Sequence, residues 1–158
     1  MAVKPTNSAF KTLAVNRKAR YLYHVEENLE CGISLRGTEV KSMKSRQFSF
    51  TDAHAKIENG ELMLLGLHIT PYSHGGNVFN HDPDRPRTLL VHRGEIKKLR
   101  RKVIEKGLTM IPLRFYLKRG LVKLDLGLCR GKKAFDKRDT IKRRDEQRDS
   151  ARELQKHY

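Results

Sequence analysis

The densest set of reactive side chains lies in TPYSHGGNVFNHDPDRPR, residues 70–87, where His74, His81, Asp82 and Asp84 are of the types that bind metal or move protons in hydrolysis. Spacing argues against both uses. His81, Asp82 and Asp84 are too close along the chain to converge on one ion, and Asp82 before Pro83 is a turn initiator. Cys31 and Cys129 sit in no CxxC or Cys/His ladder, so neither zinc nor a disulfide framework is indicated. The chain has no glycine-rich loop ending in Gly-Lys-Ser or Gly-Lys-Thr, no GxSxG elbow and no HExxH. The expectation is a protein that is not an enzyme and takes no cofactor or metal.

RNA recognition asks for other chemistry: cations for phosphates, planar groups to stack on bases, and polar side chains for base edges or the 2′-hydroxyl. Asn16, Arg17, Lys18, Arg20, Tyr21 and Tyr23 combine all three, and Arg85, Arg87 and His92 bracket a strand downstream. Either cluster alone fits a solvated basic face. The whole chain tips the balance, because 34 Lys and Arg against 18 Asp and Glu leave a charge of +16 on 158 residues. Such an excess displaces counterions from a polyanion and makes nucleic acid the leading partner. A membrane is not expected, since no apolar run approaches the roughly 18 to 20 residues that cross a bilayer and the most basic stretches lack an apolar face. MAVKPTNSAFK lacks the apolar core of a secretory signal, so the expected location is the cytosol.

The elements that must position these residues follow from periodicity. Residues 1–15 show little of it and are expected to form a flexible N-terminus, with order beginning near Asn16. From Tyr21 to Leu35 apolar residues alternate as in a strand, with Glu26, Glu27 and Asn28 marking either a bend between two strands or a bulge at a barrel corner. Thr38 is the expected cap of a short helix that buries Val40 and Met43. AHAKIE and ELMLLGLHI flank Asn59-Gly60 as a type I′ hairpin, and a second hairpin joins Leu108–Leu117 to Leu121–Leu128. Residues 94–106 form a helix with a basic outer face, ended by Gly107. The expected fold is mostly β: an OB-type six-stranded antiparallel barrel over residues 16–129, with two or three accessory helices. Residues 130–158 hold 11 Lys or Arg, 6 Asp or Glu and few apolar residues, so they form a basic C-terminal tail, disordered when free and helical in an anionic groove.

NRKARY (16–21), EENLECGISLRGTEVKSMKS (26–45), NHDPDRPRTLLVH (80–92) and GKKAFDKRDTIKRRD (131–145) together resemble the small protein B family, the SsrA-binding proteins that bind transfer-messenger RNA (tmRNA) in bacterial trans-translation. The resemblance implies an OB-type barrel that holds the tRNA-like domain of tmRNA. It also implies entry, with alanylated tmRNA and elongation factor Tu, into the A site of a stalled ribosome, where the tail probes the empty messenger channel. By motif, the RNA-binding residues would be Asn16, Lys18, Arg20, Tyr21, Glu30, Lys41, Arg87, Leu90, His92 and Lys123. The tail segment at the decoding centre would be Lys132, Lys133, Phe135, Asp136, Lys137 and Arg138. Other members often carry Asn at the position of His92 and Tyr or His at that of Phe135. Glu30 would accept hydrogen bonds from base N–H groups or orient a neighbouring arginine, and Leu90 would touch an unstacked base or fill the core. The alternative is a general OB-type RNA binder, such as a ribosome-assembly factor or RNA chaperone.

Overall fold

The computed structural model describes residues 10–74, 80–132 and 134–156. Along the chain run β1 (Phe10–Val15), α1 (Arg17–Leu22), β2 (Tyr23–Ile33), α2 (Gly37–Lys44), β3 (Phe48–Ser49), β4 (His54–Glu58), β5 (Glu61–Leu65), β6 (His68–Ile69), β7 (Arg87–Leu90), α3 (Arg93–Lys106), β8 (Thr109–Lys118), β9 (Leu121–Gly131) and α4 (Ala134–Lys156). Six strands close a ring in the order β4-β5-β7-β2-β9-β8, and β8 returns to β4 through Ala55↔Met110. Every pairing is antiparallel. Closure leaves no barrel strand with a free edge on both sides. The fold is therefore the expected mostly β barrel with accessory helices.

Local chemistry sets the register. Asn59 and Gly60 take φ of 51° and 76°, the left-handed pair that a two-residue hairpin demands, so Glu58 pairs with Glu61. Arg119 (φ 53°) and Gly120 (φ 77°) repeat the device between β8 and β9. The break at Glu26–Asn28 is a bulge within one long strand, where β2 shifts register against β9 between Val25 and Glu27. Inward positions of these strands supply the core, including Cys31, Leu62, Leu64, Leu89, Phe115, Leu124 and Leu126, each no more than 2% exposed. Phe48 and Phe50 pack on Phe115 with ring centroids 5.5 and 4.9 Å away. Burial pushes the Cys31 thiol up to about 12 and that of Cys129 up to about 11, so both stay protonated and inert.

Three expectations are corrected. Phe10–Val15, within the segment expected to be flexible, form β1, which adds a seventh strand to β8 from Phe10↔Lys118 to Val15↔Arg114 and buries Leu13, while residues 1–9 lie outside the described residues. Arg17–Leu22 is a helix, so the long strand starts at Tyr23 and not at Tyr21. Thr38 does not cap α2: the N-cap is Arg36, whose backbone N–H donates to Glu39 Oε1 at 2.8 Å. β9 runs on to Gly131, and Lys132 N–H donates to Leu22 O at 2.9 Å, which fixes where the chain leaves the barrel beside α1.

Candidate nucleic-acid interface

The DPDRPR stretch meets the GTEVKS stretch in a buried ion cluster. Glu39 and Arg87 are both 0% exposed. Arg87 Nη2 and Nε reach Glu39 Oε2 at 2.6 and 2.8 Å, and Arg85 pairs with Oε1. Arg87 also donates to the carbonyls of Leu67, Asp82 and Pro83. Burial opposes ionisation of Glu39, but hydrogen bonds from Arg85, the Arg36 N–H and Arg87 outweigh it and hold the carboxyl below its ordinary value. His81 bridges the same loop, its Nδ1 2.9 Å from Thr38 Oγ1 and its Nε2 2.9 Å from Ile69 O, which requires Nε2 to donate. The histidine and arginine singled out in the sequence are thus fasteners of the loop before β7. Arg87, fully buried against Glu39, presents no surface in this structure for the RNA contact expected of it.

On the outer face of β7, β2 and β9 the structure brings Leu90, Glu30 and Lys123 together. Gly32 pairs with Leu90 on one side and Lys123 on the other. A Cβ on Gly32 would lie 3.2 Å from Leu90 Cβ and 3.6 Å from Lys123 Nζ, so both side chains lean over a spot kept low by glycine. Leu90 is 56% exposed, so it does not fill the core and offers an apolar surface to solvent. Glu30, two residues back on the same face, accepts from Tyr116 Oη and from Lys118 Nζ (3.2 Å). Those bonds outweigh desolvation and lower its pKa. Tyr116 is 1% exposed, with Phe10 stacked on it at 5.2 Å and Arg114 4.8 Å from its ring, while Arg114 pairs with Asp125. Glu30 is itself exposed on this face, with its carboxylate held in place by Tyr116 and Lys118.

Helix α1 owes its position to Asn16. The Asn16 carbonyl oxygen accepts from Ala19 N–H at 3.1 Å, its amide donates to Pro112 O at 3.1 Å, and its backbone N–H donates to Leu113 O at 2.7 Å. With its side chain so used and only 6% exposed, Asn16 orients the helix that carries Lys18, Arg20 and Tyr21. Lys18 and Arg20 stay exposed and Tyr21 is half-buried, with Lys18 in a solvent-exposed pair with Asp52 at 3.4 Å. Such a pair is worth about 0 to 1 kcal/mol and yields readily to a phosphate.

Lys41, exposed on α2, lies 5.3 Å from the Tyr72 ring, and Tyr72 meets His74 edge to face at 5.4 Å. Asn80 pins this aromatic step by accepting from Tyr72 N–H at 3.0 Å and donating to Tyr72 O at 2.8 Å. Sequence reasoning took Lys41 but missed Tyr72, Gly32 and Tyr116, whose roles depend on partners distant in the chain. His92 is exposed at the N-cap of α3. In the tail, Lys132 is half-buried and Arg138 exposed, while Lys133 and the side chains of Phe135, Asp136 and Lys137 lie outside the described residues. Among the described residues no group of three or more His, Cys, Asp or Glu is arranged to hold a metal ion, and no helix is long and apolar enough to cross a membrane.

The profile of the family described as "SmpB protein" matches residues 13–156. An "SsrA-binding protein" of Treponema denticola is 53% identical over 91% of this chain and 93% of its own length. One from Nostoc punctiforme is 50% identical over 94% and 96%. Among solved structures, a chain from "tmRNA-SmpB: a journey to the center of the bacterial ribosome" superposes with a TM-score of 0.65 at 47% identity, covering 78% of this chain and 87% of that one. With the profile spanning nearly the whole barrel and tail, and relatives half identical end to end, the chain belongs to the SmpB family.

Proposed function

We infer that this protein is a tmRNA-binding adaptor of trans-translation, which takes the tRNA-like domain of tmRNA to the A site of a stalled ribosome while its tail enters the vacant messenger channel. The observation that carries the RNA-binding half is the low spot at Gly32 between exposed Leu90 and Lys123, an apolar contact and a cation side by side on a rigid sheet. Around it, Lys18, Arg20 and Tyr21 on α1, Lys41 with Tyr72, and His92 offer charge and stacking surfaces from separate elements. RNA with a defined shape is selected by contacts spread over several elements at fixed distances, whereas unstructured RNA needs only a charged groove. Glu30 acts through Tyr116 and Lys118 to hold the β8 side of that surface.

In the tail, Lys132, Lys133, Phe135, Asp136, Lys137 and Arg138 would enter the decoding centre first, with Phe135 to Arg138 in the first turns of α4. Phe135 would stack there on a ribosomal base. Delivery with elongation factor Tu, and work on cytosolic ribosomes, complete the reading. No step in it makes or breaks a covalent bond. The test is affinity for the tRNA-like domain against an unstructured RNA of equal length across a salt series. The adaptor should keep its preference as the electrostatic share shrinks, while equal affinity at every salt concentration would make the protein a general RNA binder.

A further inference from the structure

Helix α4 lies alongside α1, and between them is a cavity of about 350 Å³ lined by Val15, Arg17, Arg20, Arg144 and Arg148. Arg17 and Arg20 are three apart on α1, and Arg144 and Arg148 four apart on α4, so each pair shares one helix face and the two faces meet. All four residues are exposed, and among the described residues none of their guanidinium groups has an ion-pair or hydrogen-bond partner. No carboxylate lines the cleft. Four like charges turned toward one space repel unless an anion occupies it.

We propose that this cleft is a phosphate clamp, which closes α4 onto α1 around a phosphodiester group of RNA. The ligand chemistry is set by the residues. Guanidinium groups present planar forks that match phosphate oxygens in pairs, and two forks from each side surround a tetrahedral group without needing a base. No apolar floor is present beyond Val15, so a nucleobase or a lipid tail has nothing to rest on. The clamp couples the two halves of the molecule. α4 is anchored at its start by the Lys132 N–H bond to Leu22 O, while Arg144 and Arg148 lie ten and fourteen residues further on, about 15 and 21 Å along a helix axis. A phosphate in the cleft thus fixes the direction in which the tail leaves the barrel. The clamp rests on the RNA-adaptor reading above and adds a site to it.

The test is a double-mutant cycle on the full chain: R17Q/R20Q, R144Q/R148Q and the quadruple variant, each measured against the isolated tRNA-like domain and against small ribosomal subunits. These exposed changes keep good helix formers, and a thermal melt checks folding. If both pairs hold one phosphate, each double variant loses roughly tenfold, the size of one charge-assisted contact, and the quadruple variant loses no more than about tenfold. The arm that shows this non-additivity identifies which RNA supplies the phosphate. Its salt slope should fall by about 0.9 for the quadruple variant, the increment for one phosphate. Additive losses in both arms, near a hundredfold with a slope change of about 1.8, would overturn the clamp, as would no loss in either. A failure of the adaptor reading is separate, since it shows in the wild-type chain as lack of preference for the structured RNA.

Discussion

Arg87 and Leu90 stand three residues apart on one short strand, and their fates are opposite to what their types suggest. The arginine is sealed inside with Glu39, and the leucine faces solvent. From sequence alone a charge near other charges looks available, because its partner Glu39 is 48 positions away. Arg87→Met strips the buried Glu39 Oε2 of its partner, leaving Arg85 and the Arg36 N–H on Oε1, and should cost about 3 kcal/mol in urea unfolding, with RNA affinity per folded molecule little changed. Leu90→Ala should change stability by less than about 0.5 kcal/mol, as expected of an exposed site, yet weaken binding to the tRNA-like domain severalfold in a filter or fluorescence titration. Exchange of these two phenotypes would reverse the assignment of both residues.

The same cluster fixes a pH dependence. The folded-state pKa of Glu39 is lowered from its ordinary 4.5, so its contribution is complete above that pH and is lost as pH falls through the folded value. Glu30, lowered by Tyr116 and Lys118, adds in the same sense. Thermal midpoints should hold steady down to about pH 4.5 and then drop. Glu39→Gln should lower the plateau and flatten that acid limb. An acid limb of unchanged steepness in the variant would place the titrating groups elsewhere.

At the scale of elements, what could be read in the sequence was whatever depends on neighbours. Asn59-Gly60 declared a hairpin, and Gly107 ended α3 with φ of 63°, because those conformations are properties of the residues themselves. β1 was not legible for a local reason: its register shifts between Thr12 and Ala14, so the alternation that marks a strand is broken within six residues. α1 was not legible because six residues are too few to show a helical period, and Tyr21 and Tyr23 happen to continue the alternation of β2. The overlooked sign was Asn16 itself, an amide at the helix start. Asn16→Ala removes the cap and the tie to Pro112 O and should cost about 1 to 2 kcal/mol. Because α1 then loses its fixed angle, RNA affinity should fall as well. Asn16→Asp, which can still accept from Ala19 N–H, should recover much of the stability, and full recovery of binding too would show that the amide donor to Pro112 is dispensable.

The whole molecule divides into a barrel held by a buried core and a helix held by almost nothing. α4 extends for 23 residues, and the described ones carry a single large exposed apolar side chain, Ile141, at 42% exposure. A lone helix of that composition is marginal in water, and here it also turns two arginines toward two others. The free protein should therefore populate a detached, partly unfolded tail, and polyanion binding should supply the missing counter-charge. Circular dichroism of the full chain minus that of a chain ending at Gly131 isolates the tail. At low salt without RNA the difference should correspond to well under 23 helical residues, rising on addition of the tRNA-like domain or ribosomes. The truncated chain should keep its preference for the structured RNA, because Leu90, Lys123, Lys18 and Lys41 all remain, while losing about tenfold in affinity if the clamp phosphate belongs to that RNA. Tagging on stalled ribosomes should disappear, since nothing would then enter the messenger channel. A tail already fully helical without any anion would mean that contacts within the protein overcome the repulsion, and RNA would then have to bind a surface whose tail is set in advance.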